Sequence, residues 1–347
     1  MRKISLLSLL SFFLLNSIIA NAQNRFYNLT EDVNSNKYEG VHSILISEGK
    51  QIYEEYFNGF TPDSLHDTRS SFKSITSILL GIAVDKGLIN NINEPIYTYF
   101  PDEEEFQTDS LKRLITIKDL LEMRSGMDCN EWDGSKDCEA DMEISNDWVE
   151  YSLRIPMKYP PGKEWAYTSC NPMLIGGIIK RVSNLSVMEF AEKHLFAPLG
   201  ITNYRWTKDP SGNAMTGGSF YMLPTDMLKI GQLILNDGIW ENQQILSKQW
   251  IAESTECKIP IPNFSFMEIS KSKFAEPQPS FYGYYWYKED YKSTSLKTPI
   301  IFSSGNGGQY IMIIKELDLV VVFTQGNYNS YKAKQAFDIL AKYIIKS

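Results

Sequence analysis

The sequence has few residues of the types that bind metals or nucleic acids. It contains only 3 histidines in 347 residues, and His42, His66 and His194 are scattered, with none at metal-ligand spacing from a cysteine. Acidic residues outnumber basic ones by 42 to 34, the formal net charge is −8, and no basic stripe is present. We therefore expect no nucleic-acid partner, no metal and no other cofactor.

Long apolar runs are absent beyond the N-terminus. Residues 1–22 combine Arg2 and Lys3, an apolar run at 6–15 and the small-x-small cleavage site Ala20-Asn21-Ala22. This pattern predicts a signal peptide, because the run is short for a membrane anchor. No later segment is long and apolar enough to span a membrane. We therefore expect a secreted or periplasmic protein whose mature chain, residues 23–347, is a single domain.

Cysteines are also few, with 4 in the whole chain. Export makes disulfides possible. Cys129 and Cys138 flank a short polar loop, and a disulfide between them is the preferred interpretation, although four cysteines allow three connectivities. Cys170 and Cys257 are interpreted as free or buried thiols.

The sequence lacks a Gly-x-Ser-x-Gly elbow, which argues against a Ser-His-Asp hydrolase of the α/β type. The most informative motif is Ser70-Ser71-Phe72-Lys73, followed by the apolar run 78–84. At this spacing the hydroxyl of Ser70 and the amine of Lys73 share one face of a helix's first turn. An amine beside a hydroxyl can activate a serine without histidine. Taken alone, the motif is more typical of a capped helix with a solvated lysine.

Strand patterns lie mainly near the two ends of the chain. Residues 41–46 and 51–57 predict a hairpin, while residues 284–287, 310–314 and 319–323 predict further strands. Helical patterns lie between these ends, and a last helix is predicted at 333–345. Sequentially distant strands must then share one sheet. The sequence predicts an α+β fold of three-layer α/β/α type, with an antiparallel sheet, helices on both faces and an inserted, mainly helical region at about 88–215.

Two further segments could complete a catalytic site. Tyr167-Thr168-Ser169 follows a turn-rich stretch and precedes a predicted helix, and Ser303-Ser304-Gly305-Asn306 precedes a predicted strand. Each has an ordinary structural interpretation. The tyrosine could simply pack in the core, and the glycine segment could be a turn.

In this order the three motifs resemble those of the penicillin-recognising serine hydrolases. That family comprises class C β-lactamases, D-Ala-D-Ala carboxypeptidases, and related esterases and 6-aminohexanoate-dimer-hydrolase-like amidases. Residues 115–126, Pro198-Leu199-Gly200 and the segment 217–222 also look like the family. The resemblance extends from about His42 to the C-terminus and implies a β-lactamase/transpeptidase-like fold.

The resemblance also implies roles for individual residues. Ser70 matches the nucleophile, Lys73 its partner, and Tyr167 the tyrosine that shares the role of base. An oxyanion hole is implied at the backbone N–H groups of Ser70 and Asn306. The remaining substrate-binding positions implied by the resemblance are Ser169, Ser303, Ser304 and Gly305.

Two positions depart from the family pattern. Ser169 stands where the family has asparagine. Ser303 stands where it has a lysine or histidine, a cation that helps to hold the substrate carboxylate in members that bind β-lactams. This favours an esterase or amidase over a β-lactamase, unless Lys292, Lys297 or an arginine reaches the site.

The sequence thus predicts an exported serine hydrolase that acts on a small ester, amide or peptide through an acyl-enzyme on Ser70. One alternative is a D-Ala-D-Ala carboxypeptidase or weak β-lactamase, and another is a non-catalytic protein that binds wall fragments.

Two protonation states of the predicted base would serve: either Lys73 is partly neutral, or Tyr167 is partly ionised beside a charged Lys73. The sequence leaves both states open, because such a pair titrates jointly.

Overall fold

The structure is a computed structural model that describes residues 26–132, 134 and 136–345. The predicted signal peptide, residues 1–22, lies outside the described residues. Within the described part of the chain, no helix is both long and apolar enough to cross a membrane.

The described residues form one large antiparallel sheet and two small ones. The large sheet has eight strands in the order β2-β1-β13-β12-β11-β10-β9-β8, while β3, β5 and β4 form a second sheet and β6 and β7 a third. The strands are β1 (Val41–Glu48), β2 (Lys50–Tyr56), β3 (His66–Asp67), β4 (Tyr204–Trp206), β5 (Phe220–Met222), β6 (Ile239–Trp240), β7 (Gln243–Gln244), β8 (Ile259–Pro260), β9 (Ser280–Tyr282), β10 (Tyr287–Lys292), β11 (Lys297–Gly305), β12 (Gln309–Ile314) and β13 (Leu319–Gln325).

The first and last strands of the chain pair with each other, as the sequence predicts. β1 runs antiparallel to β13, with Ile44 opposite Phe323. Every residue of β12 and β13 is buried. Strands covered on both faces lose the alternation of polar and apolar residues, which explains the continuous apolar runs in this part of the sequence.

The helices lie on both faces of the sheet and in a helical region between β3 and β4. They are α1 (26–34), α2 (Phe72–Asp85), α3 (Glu105–Thr108), α4 (Ile117–Leu121), α5 (Cys138–Glu143), α6 (Trp148–Arg154), α7 (Cys170–Ser183), α8 (Val187–Ala191), α9 (Pro224–Leu235), α10 (Lys248–Thr255), α11 (Phe266–Ser270) and α12 (Gln335–Ile339).

Neighbouring residues of β12 show the three layers. A Cβ placed on Gly231 of α9 would lie 2.9 Å from the side chain of Ile311. The ring of Tyr310 instead meets Phe337 of α12, with ring centres 5.4 Å apart. Because consecutive strand residues point to opposite faces, α9 and α12 cover opposite sides of the sheet. This confirms the predicted α+β, three-layer architecture.

The structure differs from the sequence expectations in the C-terminal part. Residues 284–287 are not one strand, because Tyr285 has a positive φ of 65° and β10 begins only at Tyr287. The predicted last helix is divided into a 3-10 turn (Tyr331–Lys334), α12 and a π-helical turn (Leu340–Ile344). The strands β9, β10 and β11 are not predicted by the hydrophobic pattern, because β9 has only three residues, four of the six residues of β10 are charged, and β11 contains a lysine and a proline.

A buried carboxylate joins three elements at the β9–β10 end of the sheet. Glu289 of β10 is 1% exposed. It accepts hydrogen bonds from the hydroxyls of Ser265 (2.7 Å) and Ser280 (2.5 Å). It also accepts from the backbone N–H groups of Phe266 (2.7 Å) and Met267 (3.0 Å) at the start of α11. The carboxylate therefore satisfies four donors that would otherwise be buried without partners.

Glu289→Gln should lower the free energy of unfolding by about 2–4 kcal/mol, because an amide NH2 would face buried donors. Urea denaturation measures this change. Glu276→Gln is the matched control, since Glu276 is exposed, and its effect should stay within about 0.5 kcal/mol. Equal losses in the two variants would contradict the assignment.

Candidate active site

Ser70 lies in a 3-10 turn, Arg69–Ser71, that leads directly into α2. Arg69 adopts a positive φ of 49°. Asp67 at the end of β3 stabilises this turn, because its carboxylate accepts from the Arg69 backbone N–H at 3.0 Å and forms an ion pair with the Arg69 side chain. The sequence analysis missed Asp67, which sits in a polar connection without a recognisable signal.

Lys73 lies one helical turn after Ser70 and is almost fully buried, at 1% exposure. Its ammonium donates to Ser70 Oγ at 3.0 Å, to Ser169 Oγ at 3.1 Å and to the carbonyl of Gly217 at 2.7 Å. An ammonium has three N–H donors, so these three acceptors satisfy the charged form completely.

Charged and polar neighbours favour the protonated form of Lys73. Burial on its own lowers the pKa of this amine, but the Tyr167 phenol and the carboxylates of Glu139 and Glu131 outweigh burial, and the pKa lies above its ordinary value. Of the two protonation states left open by the sequence, the surroundings favour a charged Lys73.

Tyr167 lies beside this lysine. The ammonium is 5.0 Å from the centre of the Tyr167 ring. The ring itself packs among aromatic side chains, with centroid distances of 5.7 Å to Trp132, 6.2 Å to Trp165 and 6.4 Å to Tyr282. This packing fixes the ring position and leaves the tyrosine 8% exposed.

The end of β11 comes unusually close to the turn that carries Ser70. A Cβ placed on Gly305 would lie 2.3 Å from the carbonyl oxygen of Thr68 and 3.1 Å from the backbone nitrogen of Ser71. Only glycine allows the two backbones to approach this closely. Gly305 is therefore an approach point at the end of a strand, rather than part of a simple turn.

Ser303, which the resemblance places at a substrate-binding position, makes its side-chain contacts within the protein. Its side chain is fully buried. Its hydroxyl is 2.6 Å from Ser71 Oγ and accepts from the backbone N–H of Ile311 at 3.1 Å. The hydroxyl thus joins β11 to the turn that carries Ser70. Ser304, the next residue, lies opposite Tyr310 of β12 in the sheet.

Asn306 lies on the rim of the site. Its side-chain amide donates to Asn329 Oδ1 at 2.7 Å, and its own Oδ1 accepts from the Asn329 backbone N–H at 2.8 Å. This reciprocal pair fixes the backbone immediately after Gly305.

Ser169 joins Lys73 to two carboxylates that the sequence analysis missed. Its hydroxyl is 2.9 Å from Glu131 Oε2 and also contacts Glu139 Oε2. Its backbone N–H donates to Glu131 Oε1 at 2.8 Å. Ser169 therefore belongs to a buried charge network. The two glutamates lie in or next to the polar loop between Cys129 and Cys138, and no spacing rule links them to Ser169.

That loop is closed by a disulfide between Cys129 and Cys138, whose Cα atoms are 6.2 Å apart. Cys170 and Cys257 are free and buried. In the described residues, no group of three or more His, Cys, Asp or Glu side chains is arranged to hold a metal ion.

A cavity of about 390 Å³ opens at Ser70. Its lining is mostly polar or charged and includes Arg69, Ser70, Glu131, Lys136, Asp137, Glu139, Ser219, Asn306 and Asn329. Lys292 and Lys297 are not among the lining residues, because they form ion pairs with Glu276 and Asp290 elsewhere on the sheet. The arginine that lines the cavity is Arg69, whose guanidinium lies 5.1 Å from the centre of the Tyr328 ring.

A family model described as Beta-lactamase matches residues 27–343. The chain therefore belongs to the β-lactamase family, which confirms the predicted resemblance. Among solved structures, the octameric penicillin-binding protein homologue from Pyrococcus abyssi superposes with a TM-score of 0.69 at 19% identity, covering 92% of this chain and 77% of that chain. This likeness concerns the fold alone.

Two curated relatives carry more specific names. The chain is 23% identical over 223 residues to 6-aminohexanoate-dimer hydrolase of Paenarthrobacter ureafaciens, covering 60% of this chain and 55% of that protein. It is 31% identical over 189 residues to lovastatin esterase of Penicillium rubens, covering 48% and 44%. The matches thus span about half the length of each relative.

Gly305→Ala should slow the phosphonylation of Ser70 by a fluorophosphonate by roughly 10- to 100-fold, because the added Cβ pushes β11 away from the Ser70 turn. Labelling rates and thermal melts measure the effect on activity and folding. Gly59→Ala is the control: its positive φ of 82° strains an alanine and should lower the melting temperature, but a Cβ there meets nothing within 4 Å, so its labelling rate should match that of the wild type. A wild-type rate in Gly305→Ala would contradict the close-approach argument.

Proposed function

We propose that the protein is an exported serine hydrolase that cleaves an ester or amide through an acyl-enzyme on Ser70. The observation that carries this proposal is the 3.0 Å hydrogen bond between Lys73 Nζ and Ser70 Oγ in a buried, fully satisfied environment. A lysine is rarely buried without a specific partner. A serine in contact with such a lysine is a natural candidate for an activated nucleophile.

The proposed reaction begins when Ser70 Oγ attacks the substrate carbonyl carbon and its proton passes to the Lys73/Tyr167 pair. The carbonyl oxygen becomes an oxyanion, which the backbone N–H groups of Ser70 and Asn306 are proposed to stabilise by roughly 3 kcal/mol each. The departing alcohol or amine then takes the proton. Water, activated by the same pair, hydrolyses the acyl-enzyme and regenerates Ser70.

The surroundings of Ser70 support an ester or amide substrate over a β-lactam. The position where the family pattern has a cation is occupied by the buried Ser303, whose hydroxyl is already bonded to Ser71 and Ile311. Three carboxylates, from Glu131, Asp137 and Glu139, also line the cavity. They outnumber the two cationic side chains of the lining, Arg69 and Lys136, and like charges disfavour a substrate carboxylate.

A D-Ala-D-Ala carboxypeptidase or weak β-lactamase remains the second candidate, because Arg69 lies beside Ser70 and could hold a carboxylate. Hydrolysis of nitrocefin, or stable labelling of Ser70 by penicillin, would favour this candidate.

A non-catalytic wall-fragment binder would have no need for the bonded Ser70–Lys73 pair. It would form no acyl-enzyme with a panel of activated esters.

A fluorophosphonate probe should label the mature protein on Ser70, and Ser70→Ala should abolish the labelling. Mass spectrometry of the labelled peptide identifies the site. Ser295→Ala is the matched control, because Ser295 is an exposed serine in the turn between β10 and β11, and it should label normally. Labelling that survives Ser70→Ala would refute the assignment of the nucleophile.

Lys73→Met should lower kcat/KM for an activated ester by roughly 10²- to 10⁴-fold, because it removes the proposed proton acceptor while keeping the length of the side chain. Lys180→Met, on the exposed end of α7, should leave kcat/KM unchanged. Circular dichroism verifies that both variants fold. Wild-type turnover in Lys73→Met would exclude this lysine from the mechanism.

A further inference from the structure

Two carboxylates converge on one hydroxyl behind Lys73. Ser169 Oγ is 2.9 Å from Glu131 Oε2, contacts Glu139 Oε2 and receives a hydrogen bond from Lys73 Nζ at 3.1 Å. Ser169 is fully buried. The hydroxyl thus lies at the centre of three charged or titratable groups.

The single hydroxyl proton of Ser169 restricts the protonation state of this cluster. A serine hydroxyl has one proton to donate, so Ser169 can donate to only one of the two carboxylates. The other carboxylate can bond to the same oxygen only if it is protonated and donates. The geometry therefore requires one proton to be held on the Glu131/Glu139 pair. Burial also raises the pKa of Glu131 to about 7, with Lys73 opposing and Glu139 reinforcing this shift.

We propose that Glu131 and Glu139 form a proton-holding pair that converts Lys73 into a base through Ser169. Both glutamates are positioning residues, because they act on Ser70 only through Ser169 and Lys73. The inference rests on the proposed function and deepens it, since it explains how a lysine with a raised pKa could accept a proton.

The proposed transfer balances in protons and charge. Lys73 gives the proton that it shares with Ser169 to the Ser169 oxygen, while the Ser169 hydroxyl proton moves to the ionised glutamate. Lys73 is then a neutral amine and the pair is doubly protonated. As Ser70 Oγ bonds to the carbonyl carbon, its proton moves to the Lys73 nitrogen. The leaving group takes that proton, and the reverse transfer through Ser169 restores the ammonium.

The disulfide and a backbone hydrogen bond bring Glu131 and Glu139 together. Glu131 follows Cys129 by two residues and Glu139 directly follows Cys138, so the disulfide closes the segment that carries both carboxylates. The backbone N–H of Glu131 also donates to the Tyr167 carbonyl at 2.8 Å. These contacts hold the pair against the segment that presents Tyr167 and Ser169.

Two titratable groups near the pair, Cys170 and Tyr151, do not change charge around neutrality. Burial raises the pKa of Cys170 to about 12 and that of Tyr151 to about 12, so both stay neutral. Lys73 stays charged when its pKa is raised. Burial and Glu139 raise the pKa of Glu143, against the effect of Arg69. The remaining groups that face the pair are Tyr167, Asp137, Lys136 and Arg69.

The sign of the pH dependence follows from this arrangement. At acidic pH the pair takes up a second proton, so both carboxylates are protonated and neither can receive the proton from Lys73; kcat/KM should therefore fall on the acidic side of neutrality. When both glutamates become glutamine, Lys73 must instead lose its proton to solvent. The acid limb of the profile should then move towards alkaline pH, because it reports the titration of Lys73 itself.

The test compares the wild type with Glu131→Gln/Glu139→Gln across a pH series, using an activated aryl ester. At neutral pH the double variant should lose roughly 10- to 100-fold in kcat/KM and regain most of it at alkaline pH. Glu143→Gln is the matched control, because it removes an exposed glutamate from the same short helix, α5. Its profile should follow that of the wild type. If the double variant lost the same fraction of kcat/KM at every pH, or if its acid limb did not move, the inference would be overturned. The two glutamates would then have a structural role only.

Two further measurements separate this inference from the proposed function. Fluorophosphonate labelling of Ser70 in the wild type tests the function alone, and failure to label would refute that function. Infrared spectroscopy at neutral pH tests the pair without any turnover. The wild type and Glu143→Gln should show the band of a protonated carboxylic acid, and each single variant, Glu131→Gln or Glu139→Gln, should lose it. Absence of that band from the wild type would overturn the inference, even if the double variant did not fold.

Discussion

The structure around Ser70 depends on the close approach of two backbones, at Gly305 of β11 and at the turn 68–71. Because no side chain separates them, the sheet and the start of α2 are held at a fixed spacing. A buried hydrogen bond joins the same two elements, and its two hydroxyl oxygens, Ser71 Oγ and Ser303 Oγ, are 2.6 Å apart. A core that is packed this closely transmits small shifts, so the position of Ser70 is set by the large sheet as well as by its own helix.

The second constraint is the burial of a charged lysine. An ammonium removed from water is stable only where acceptors and opposite charge replace its hydration. Lys73 has three acceptors, and the carboxylates of Glu131 and Glu139 lie behind Ser169. The replacement of the family's asparagine by Ser169 fits this arrangement, since a hydroxyl can accept from Lys73 and donate to a carboxylate at once. An amide divides these two functions between separate atoms.

Local signals predicted much of this protein, and long-range contacts explain the rest. The Ser70-x-x-Lys73 spacing required only helical geometry, and the apolar runs of β12 and β13 required only burial on both faces. The charged strand β10 offered no such pattern, because Glu289 is satisfied by donors from β9 and α11. Likewise, Glu131 is separated from Ser169 by 38 residues, and only the folded loop brings them into contact.

The substitution at position 303 and the acidic pair have a combined electrostatic consequence. A cation at 303 would add positive charge beside the turn that carries Ser70. With the neutral Ser303 in that place, the field of Glu131 and Glu139 acts mainly on Lys73. The same field opposes a substrate carboxylate in the cavity, where Arg69 is already paired with Asp67. If Ser70 is the nucleophile as proposed, the features that keep Lys73 charged and buried therefore also favour an uncharged acyl group there.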